Sequence, residues 1–234
     1  MNCRYCNGIC IKKGIRNTKQ RYQCKSCKKS QLSEYSYRLL TKADEQWIED
    51  FNSESVSMRG MARLLKSSVT TIQRKVFLLS QKVIKPIYGE FGQEYEVDEL
   101  CTYIGKNENG NRSWLIYGIN KKTNDVIDIA VGKRTLDKIR PVIEKIKSLH
   151  PKKIFTDKLN LYPGIIHKEI HSTARYKTNQ IERSNLTIRN SLKRLSRKTL
   201  CYSKSEKMLE AVILLYFKKI YWSFCTTDSE KRLQ

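Results

Sequence analysis

The sequence predicts a mixed α/β protein in which two small N-terminal modules precede a larger domain. Two CxxC motifs fall within residues 1–32, and helical patterns separated by short polar turns fall within residues 41–80. From residue 94 onward the period of the apolar residues changes from that of a helix to that of a strand. At 234 residues the chain is long enough to bury one medium-sized core beside smaller modules.

The first module has the cysteine spacing of a structural zinc site. Cys3-x-x-Cys6 and Cys24-x-x-Cys27 are separated by 17 residues, a spacing at which two turns supply four thiolates to one ion. We therefore predict a zinc ribbon over residues 1–32 with these four cysteines as Zn²⁺ ligands, and unligated buried cysteines are the alternative. So small a ribbon cannot build its own core, and the metal would stabilise its fold. Cys10 is a further cysteine to which no role is assigned.

Residues 41–80 have the pattern of a helix-turn-helix. Thr41 can cap a first helix, Ser57 can begin a second, and Ser67-Ser68 can form the turn before a third helix at 69–79. The third helix would enter the major groove of DNA with five side chains: Thr70, Thr71, Gln73, Arg74 and Lys75. A three-helix scaffold without DNA contacts is the alternative. A linker over residues 81–93 follows, marked by proline and glycine.

The remaining part, residues 94–225, alternates between strand and helix patterns. Three strands are predicted at 94–105, 111–121 and 125–133, with turns at 108–111 and 123–124. An amphipathic helix at 136–149, a short strand at 153–157 and later helices follow. This order of elements is that of an RNase H-like fold.

Three acids lie at successive elements of this part. Asp98 lies in the first strand, Asp157 ends the fourth strand and Glu182 lies on a later helix. Carboxylates are the hard ligands that Mg²⁺ prefers, and paired ions assist phosphoryl transfer. Glu99 is a rival to Asp98, although it would face the other side of the strand. Glu182 has an alternative role as the third helical residue of a capping box that begins at Asn179.

The charge of the chain indicates a polyanionic partner. The formal net charge is +23, and the excess of bases concentrates at both ends around a nearly neutral middle. The stretch 175–198 is the most basic, and Ile181, Ile188, Leu192 and Leu195 predict a helix there, with Glu182, Arg189 and Lys193 on one flank. We expect DNA contacts from five of its residues: Arg183, Lys193, Arg194, Arg197 and Lys198.

The N-terminus lacks the apolar segment of a secretory signal, and the apolar run 208–217 is too short to span a bilayer. We expect a cytoplasmic, nucleoid-associated protein with no membrane partner. Its eight cysteines should then be reduced or metal-bound.

Several segments resemble the insertion sequence 1 family of transposases. They are the CxxC…RYQCKSC start at 3–27, VDELCTYIG (97–105), WLIYGINKKT (114–123), GKRTLDKIR (132–140), FTDKLNLYP (155–163) and QIERSNLTIRNSLKRLSRKTLCYSKSE (180–206). The resemblance implies a DDE transposase whose metal-binding triad is Asp98, Asp157 and Glu182. It favours Asp98 over Glu99, and it implies that Arg189 is the basic residue two helical turns after the glutamate. Lys158 and Leu159 depart from the small and aromatic residues expected there.

These observations predict a transposase that binds double-stranded DNA at the terminal inverted repeats of its element, as a homodimer or a larger oligomer. Strand cleavage and strand transfer would require Mg²⁺ or Mn²⁺. Two alternatives are a non-catalytic repressor that only binds the ends and an RNase H-like nuclease. The three acids argue against a non-catalytic repressor. An assay for strand joining would distinguish a transposase from a nuclease.

Overall fold

The computed structural model describes residues 1–34, 40–105, 111–174, 176–196, 199 and 201–222. The expectations for Arg175, Arg197, Lys198 and the turn residues 108–110 lie outside these ranges. The chain divides into two compact units, Met1–Leu40 and Thr41–Gln234, and each unit is described by itself.

The first unit contains a three-stranded antiparallel sheet in the order β1–β2–β3: β1 (Cys10–Arg16), β2 (Lys19–Cys24) and β3 (Ser30–Leu32). Arg16 pairs with Lys19, so only Asn17 and Thr18 form the hairpin turn. Both have positive φ, 50° and 63°, as in a type I′ turn, whose twist matches that of the flanking strands. The turn folds β2 back along β1, so that the second CxxC motif returns towards the first.

Three capped helices begin the second unit: α1 (Lys42–Ser53), α2 (Met58–Leu64) and α3 (Val69–Gln81). Thr41, Ser57 and Ser68 precede them, and each side chain accepts a hydrogen bond from the backbone N–H of the third helical residue. The predicted helices and their caps are therefore confirmed, and their role as a helix-turn-helix stays a prediction.

A five-stranded mixed sheet with the order β6–β5–β4–β7–β8 forms the centre of this unit. The predicted antiparallel meander is present as β4 (Glu94–Tyr103), β5 (Arg112–Asn120) and β6 (Val126–Gly132). The fourth strand, β7 (Lys153–Phe155), lies parallel to β4 and ends two residues before Asp157. β8 (His171–Ser172) pairs with β7. The sequence did not predict β8 because two residues show no period.

Two helices build the core around this sheet. The apolar stripe of α4 (Leu136–Lys147) packs on the sheet through four buried residues: Ile139, Val142, Ile143 and Ile146. Gly118 of β5 permits this approach, because a Cβ there would lie only 2.5 Å from Cδ1 of Ile146. α6 (Glu206–Ile220) contacts β6, α1 and α3. Among the described helices, none has the length and apolar character needed to cross a bilayer.

Polar contacts join the capped helices to the rest of the second unit. Asn52 of α1 donates to the carbonyl of Val212 at 2.9 Å, and Glu49 pairs with Lys218 at 2.7 Å. The predicted linker 81–93 is also attached to the sheet, because the Tyr88 hydroxyl donates to the Val126 carbonyl at 2.7 Å. The domain boundaries predicted at 80 and 94 stay predictions.

α5 (Asn179–Ser191) ends earlier than the sequence predicts. The Ser55 hydroxyl donates to the carbonyl of Ser191 and accepts a hydrogen bond from the backbone N–H of Lys193. Because this hydroxyl satisfies the end of the helix, the next residues form a separate 3₁₀ turn, Lys193–Leu195. The prediction that Lys193 shares one helical flank with Glu182 and Arg189 is therefore wrong.

Candidate active site and zinc centre

Strand pairing brings three acids together beside β4. Glu96 of β4 pairs with Phe155 of β7 in parallel register, so Asp98 and Asp157 each lie two residues farther along neighbouring chain segments. One carboxylate oxygen from each of Asp98, Glu99 and Asp157 lies within 4.8 Å of the others. β7 ends at Phe155, which leaves the edge of β4 open at this point. This acidic cluster can hold a divalent cation.

Asp98 is held at both carboxylate oxygens. Its Oδ1 accepts a hydrogen bond from the backbone N–H of Glu99 at 2.8 Å, and its Oδ2 accepts one from Nδ2 of Asn185 at 2.6 Å. Burial raises the pKa of Asp98, these two hydrogen bonds oppose the rise, and the charges of Asp157 and Glu182 add to it. No local sequence pattern identifies Asn185, which lies 87 residues from Asp98 in the chain.

Glu99 also belongs to the cluster, contrary to the expectation that it faces away from Asp98. The Tyr162 hydroxyl donates to Glu99, and Nη2 of Arg134 lies 3.2 Å from Oε2 of Glu99. The same Nη2 lies 3.3 Å from Oδ2 of Asp157. Burial is the main cause that raises the pKa of Glu99 to about 7. Among the described strands, β7 pairs with β4 only as far as Glu96, and the long Glu99 side chain reaches Asp157 beyond that point.

Glu182 lies beside this cluster without being part of it. Its side chain is exposed, and its Oε1 accepts a hydrogen bond from the Thr178 hydroxyl at 3.1 Å. Its charge is a minor cause of the raised pKa of Asp98. The capping box expected from Asn179 is not formed. The helix cap residue is Thr178, and the side chain of Glu182 accepts from its hydroxyl instead of from a backbone N–H.

A different glutamate supports the start of α5. Glu96 is fully buried, and its Oε2 accepts a hydrogen bond from the backbone N–H of Ile181 at 2.9 Å. Its other oxygen lies 3.3 Å from Nζ of Lys121, which also donates to the carbonyl of Lys177. Negative charge at a helix N-terminus is stabilising. Glu96 and Lys121 therefore fix the start of the helix that carries Glu182.

Arg189 makes backbone contacts instead of facing the cluster with a free guanidinium. Its Nη1 donates to the carbonyl of Leu195 at 3.1 Å, and its Nη2 donates to the carbonyl of Cys101 at 3.2 Å. These bonds join the end of α5 to β4. A role of Arg189 in catalysis stays a prediction.

The four predicted zinc ligands converge in the first unit. One sulfur from each of Cys3, Cys6, Cys24 and Cys27 lies within 4.8 Å of the others, and the closest pairs are 3.5 and 3.6 Å apart. A tetrahedral Zn²⁺ with Zn–S bonds of about 2.3 Å requires sulfurs about 3.8 Å apart, so the cluster fits zinc. A backbone hydrogen bond from Cys27 lowers the pKa of Cys24 to about 6, which favours the thiolate.

Cys10 lies beside this cluster, and burial raises the pKa of its thiol. Its sulfur donates to the carbonyl of Gly8 at 3.9 Å. Cys10 is not among the four cysteines whose sulfurs lie within 4.8 Å of one another, so the geometry favours the other four as the ligand set.

The residues predicted to contact DNA differ in exposure. Thr70, Gln73, Arg74, Arg183 and Lys193 are exposed. Three others are engaged within the protein: Thr71 shares a hydrogen bond with Ser68, Lys75 pairs with Glu45, and Arg194 donates to the Ser203 hydroxyl. Burial lowers the pKa of Arg194. The five exposed side chains are therefore better placed for phosphate contacts than these three.

Comparison with known proteins identifies the family. The sequence model of the family described as IS1 transposase matches residues 94–223, more than half of the chain. The insertion element iso-IS1n protein InsB of Shigella dysenteriae is 33% identical over 124 residues, which cover 53% of this chain and 93% of that protein. The insertion element IS1 protein InsB of Shigella flexneri is 30% identical over 118 residues, covering 50% and 88%. The matched region contains the acidic cluster and α5, and the chain belongs to the IS1 transposase family.

Proposed function

We propose that this protein is a DNA transposase that binds the terminal inverted repeats of its insertion sequence and catalyses divalent-metal-dependent strand cleavage and strand transfer. One observation carries the proposal. In a member of a transposase family, Asp98 and Asp157 lie side by side at the edge of β4, and α5, the helix that carries Glu182, contacts Asp98 through Asn185.

In this proposal Asp98, Asp157 and Glu182 hold Mg²⁺ or Mn²⁺. Their carboxylates are the ligands that these ions prefer, and two of them already lie within 4.8 Å of each other. An ion held by these carboxylates would supply the positive charge that polarises the phosphate and stabilises the attacking and leaving oxygens. Glu182 is exposed, and among the described residues its carboxylate accepts a hydrogen bond only from Thr178, so in this proposal it joins the metal site when the ion binds. Glu99 supplies a fourth carboxyl group beside them.

The other modules provide DNA recognition in the same proposal. Residues 1–32 form a zinc ribbon, 41–80 a helix-turn-helix, 81–93 a linker, and 94–225 an RNase H-like catalytic domain. The distances between the cysteine sulfurs are close to those between the corners of a ZnS₄ tetrahedron, which supports the zinc ribbon. The sheet order β6–β5–β4–β7–β8, with three antiparallel strands followed by parallel ones, supports the RNase H-like fold. Exposed residues of α3, Thr70, Gln73 and Arg74, support major-groove contacts.

The partners follow from the chemistry. A net charge of +23 suits a long polyanion, and transposition joins two element ends to a target duplex. We therefore propose double-stranded DNA as the partner and a homodimer or larger oligomer as the active form. A DNA substrate also implies a cytoplasmic location at the nucleoid.

The test uses the full chain, duplexes that carry the inverted repeats flanking its gene, a target plasmid and Mg²⁺. The parent protein should nick the ends and join the 3′-ends to the plasmid. Asp98→Asn and Asp157→Asn should bind the ends but neither cut nor join them, because each substitution removes a metal-binding charge. Asp137→Asn, the same change at an exposed position of α4, is the control.

Two results would contradict this proposal. A parent protein that binds the ends without cutting them would be a repressor, and one that cuts without joining would be a nuclease. Cleavage by Asp98→Asn or Asp157→Asn at the rate of Asp137→Asn would remove that aspartate from the site.

A further inference from the structure

A chain of hydrogen bonds connects the core of the sheet to the carboxylate of Asp98. The Tyr117 hydroxyl donates to Oδ1 of Asn185 at 2.9 Å, with the Ile181 carbonyl as a second, longer acceptor at 3.3 Å, and Nδ2 of Asn185 donates to Oδ2 of Asp98 at 2.6 Å. Tyr117 is fully buried, so its hydroxyl position is fixed by packing. A carboxylate only accepts hydrogen bonds, so the amide must present its NH₂ group to Asp98 and its oxygen to Tyr117.

Three secondary-structure elements meet in this chain. Tyr117 of β5 is the register partner of Asp98 in β4, and Asn185 lies on α5 three residues after Glu182. Residues three apart lie on the same face of a helix. A single amide therefore joins the strand that carries one predicted metal ligand to the helix face that carries another.

We propose that Asn185 is a positioning residue of the active site, which sets the orientation of the Asp98 carboxylate and keeps the Glu182 face of α5 towards it. This inference rests on the proposed function of Asp98 and Glu182 as metal ligands. With Glu99 N–H on Oδ1 and Asn185 on Oδ2, the carboxylate plane cannot rotate. The remaining lone pairs then point in fixed directions, as hydrogen-bonded ligands do in metal sites.

Asn185 thus acts on metal binding through Asp98, and Tyr117 acts through Asn185. When a metal ligand loses a hydrogen bond from a residue that does not itself touch the metal, metal affinity or activity falls by about 10-fold to 100-fold. A residue that only packs α5 against the sheet would change stability without this loss. Metal affinity therefore separates positioning from packing.

The experiment measures Mn²⁺ binding to the zinc-loaded full chain without DNA, by the electron paramagnetic resonance signal of free Mn²⁺. Asn185→Leu keeps the approximate volume of the side chain and removes its amide. The control is Asn190→Leu, the same change at an exposed position of the same helix. The Asp98→Asn variant shows how much of the Mn²⁺ binding depends on the acidic cluster.

Asn185→Leu should raise the Kd for Mn²⁺ at least about tenfold above that of Asn190→Leu. With duplex present, the Mg²⁺ concentration for half-maximal cleavage should rise by a similar factor. An unchanged Kd in a folded Asn185→Leu protein overturns the proposal.

If Asn185→Leu does not fold, Tyr117→Phe decides, because it removes only the hydroxyl that orients the amide. A Kd raised about tenfold or more supports the proposal, and a smaller change overturns it. The Mn²⁺ titration does not depend on cleavage. A parent protein that binds Mn²⁺ through Asp98 but leaves DNA intact would contradict the proposed function and leave the positioning role testable.

Discussion

Replacing Arg134 by glutamine should strengthen the binding of Mn²⁺ to the acidic cluster. The guanidinium lies between two of the carboxylates, with Nη2 at 3.2 Å from Glu99 and 3.3 Å from Asp157. A metal ion that binds the same oxygens is repelled by this positive charge. Nε of Arg134 is buried without a hydrogen-bond partner, so removing it leaves no acceptor unpaired at that atom.

The size of the effect follows from Coulomb's law and solvent exposure. Two unit charges about 4 Å apart interact by about 4 kcal/mol at an effective dielectric constant of about 20. The side chains of Arg134 and Asp157 are 34% and 44% exposed, so screening reduces the interaction to the range of surface pairs, about 1 kcal/mol. This corresponds to a Kd for Mn²⁺ that is about fivefold lower in Arg134→Gln.

The assay is a titration of the zinc-loaded protein with Mn²⁺, in which electron paramagnetic resonance measures the free ion. Arg140→Gln is the matched control, because it removes one positive charge from an exposed position on α4. Arg134→Gln should bind Mn²⁺ more tightly than both the control and the parent protein. A Kd equal to or above that of Arg140→Gln would refute the reasoning, and Arg134 would then support the site instead of competing with the ion.

Three further outcomes are expected. Elemental analysis should find one zinc per chain. The Cys24→Ser variant should lose this zinc and bind the element ends more weakly. The control Cys201→Ser, at an exposed cysteine outside the cluster, should keep the zinc and the end binding. Glu182→Gln should change the free energy of unfolding by less than about 1 kcal/mol, because its amide oxygen can still accept from Thr178, yet abolish Mg²⁺-dependent cleavage. Cleavage at the parent rate would exclude Glu182 as a ligand. The pKa of Glu99 is raised from 4.5 to about 7 in the folded protein. Protonated Glu99 therefore contributes stability that is fully present below pH 4.5 and is lost as the pH rises through about 7. Urea unfolding of Glu99→Gln without added metal should therefore lack this pH dependence, and an unaltered dependence would contradict the assignment.

Much of the fold could be predicted because it follows from local patterns. Strand alternation and helical periodicity located the meander and α4, and the three caps of α1, α2 and α3 are visible as Thr41, Ser57 and Ser68. The proximity of Asp98 and Asp157 was also predictable, since Asp98 lies in β4 and Asp157 follows β7, the parallel neighbour of β4. These features depend on a few adjacent residues or on strand order alone.

The groups that support the site could not be predicted in this way. Glu96 and Ile181 are 85 residues apart, and Asn185 and Asp98 are 87 residues apart. Nothing in the local sequence distinguishes a buried Glu96 from a solvated one, because burial of a polar side chain depends on the partner that another element supplies. The end of α5 depends likewise on Ser55, which lies 136 residues from Ser191.

The contacts between β4 and α5 form a series that holds the first turn of α5, which carries Glu182, against the strand that carries Asp98. Three pairs follow one another along both elements: Glu96 with Ile181, Asp98 with Asn185, and Cys101 with Arg189. Two strand residues span about 6.6 Å and four helical residues about 6 Å, so the first two pairs are nearly in step. The strand then advances about 10 Å to the third pair while the helix advances about 6 Å, and the long arginine side chain covers the difference. An arginine two helical turns after Glu182 therefore has a structural reason for its position, since it fastens the far end of the helix whose first turn carries that glutamate.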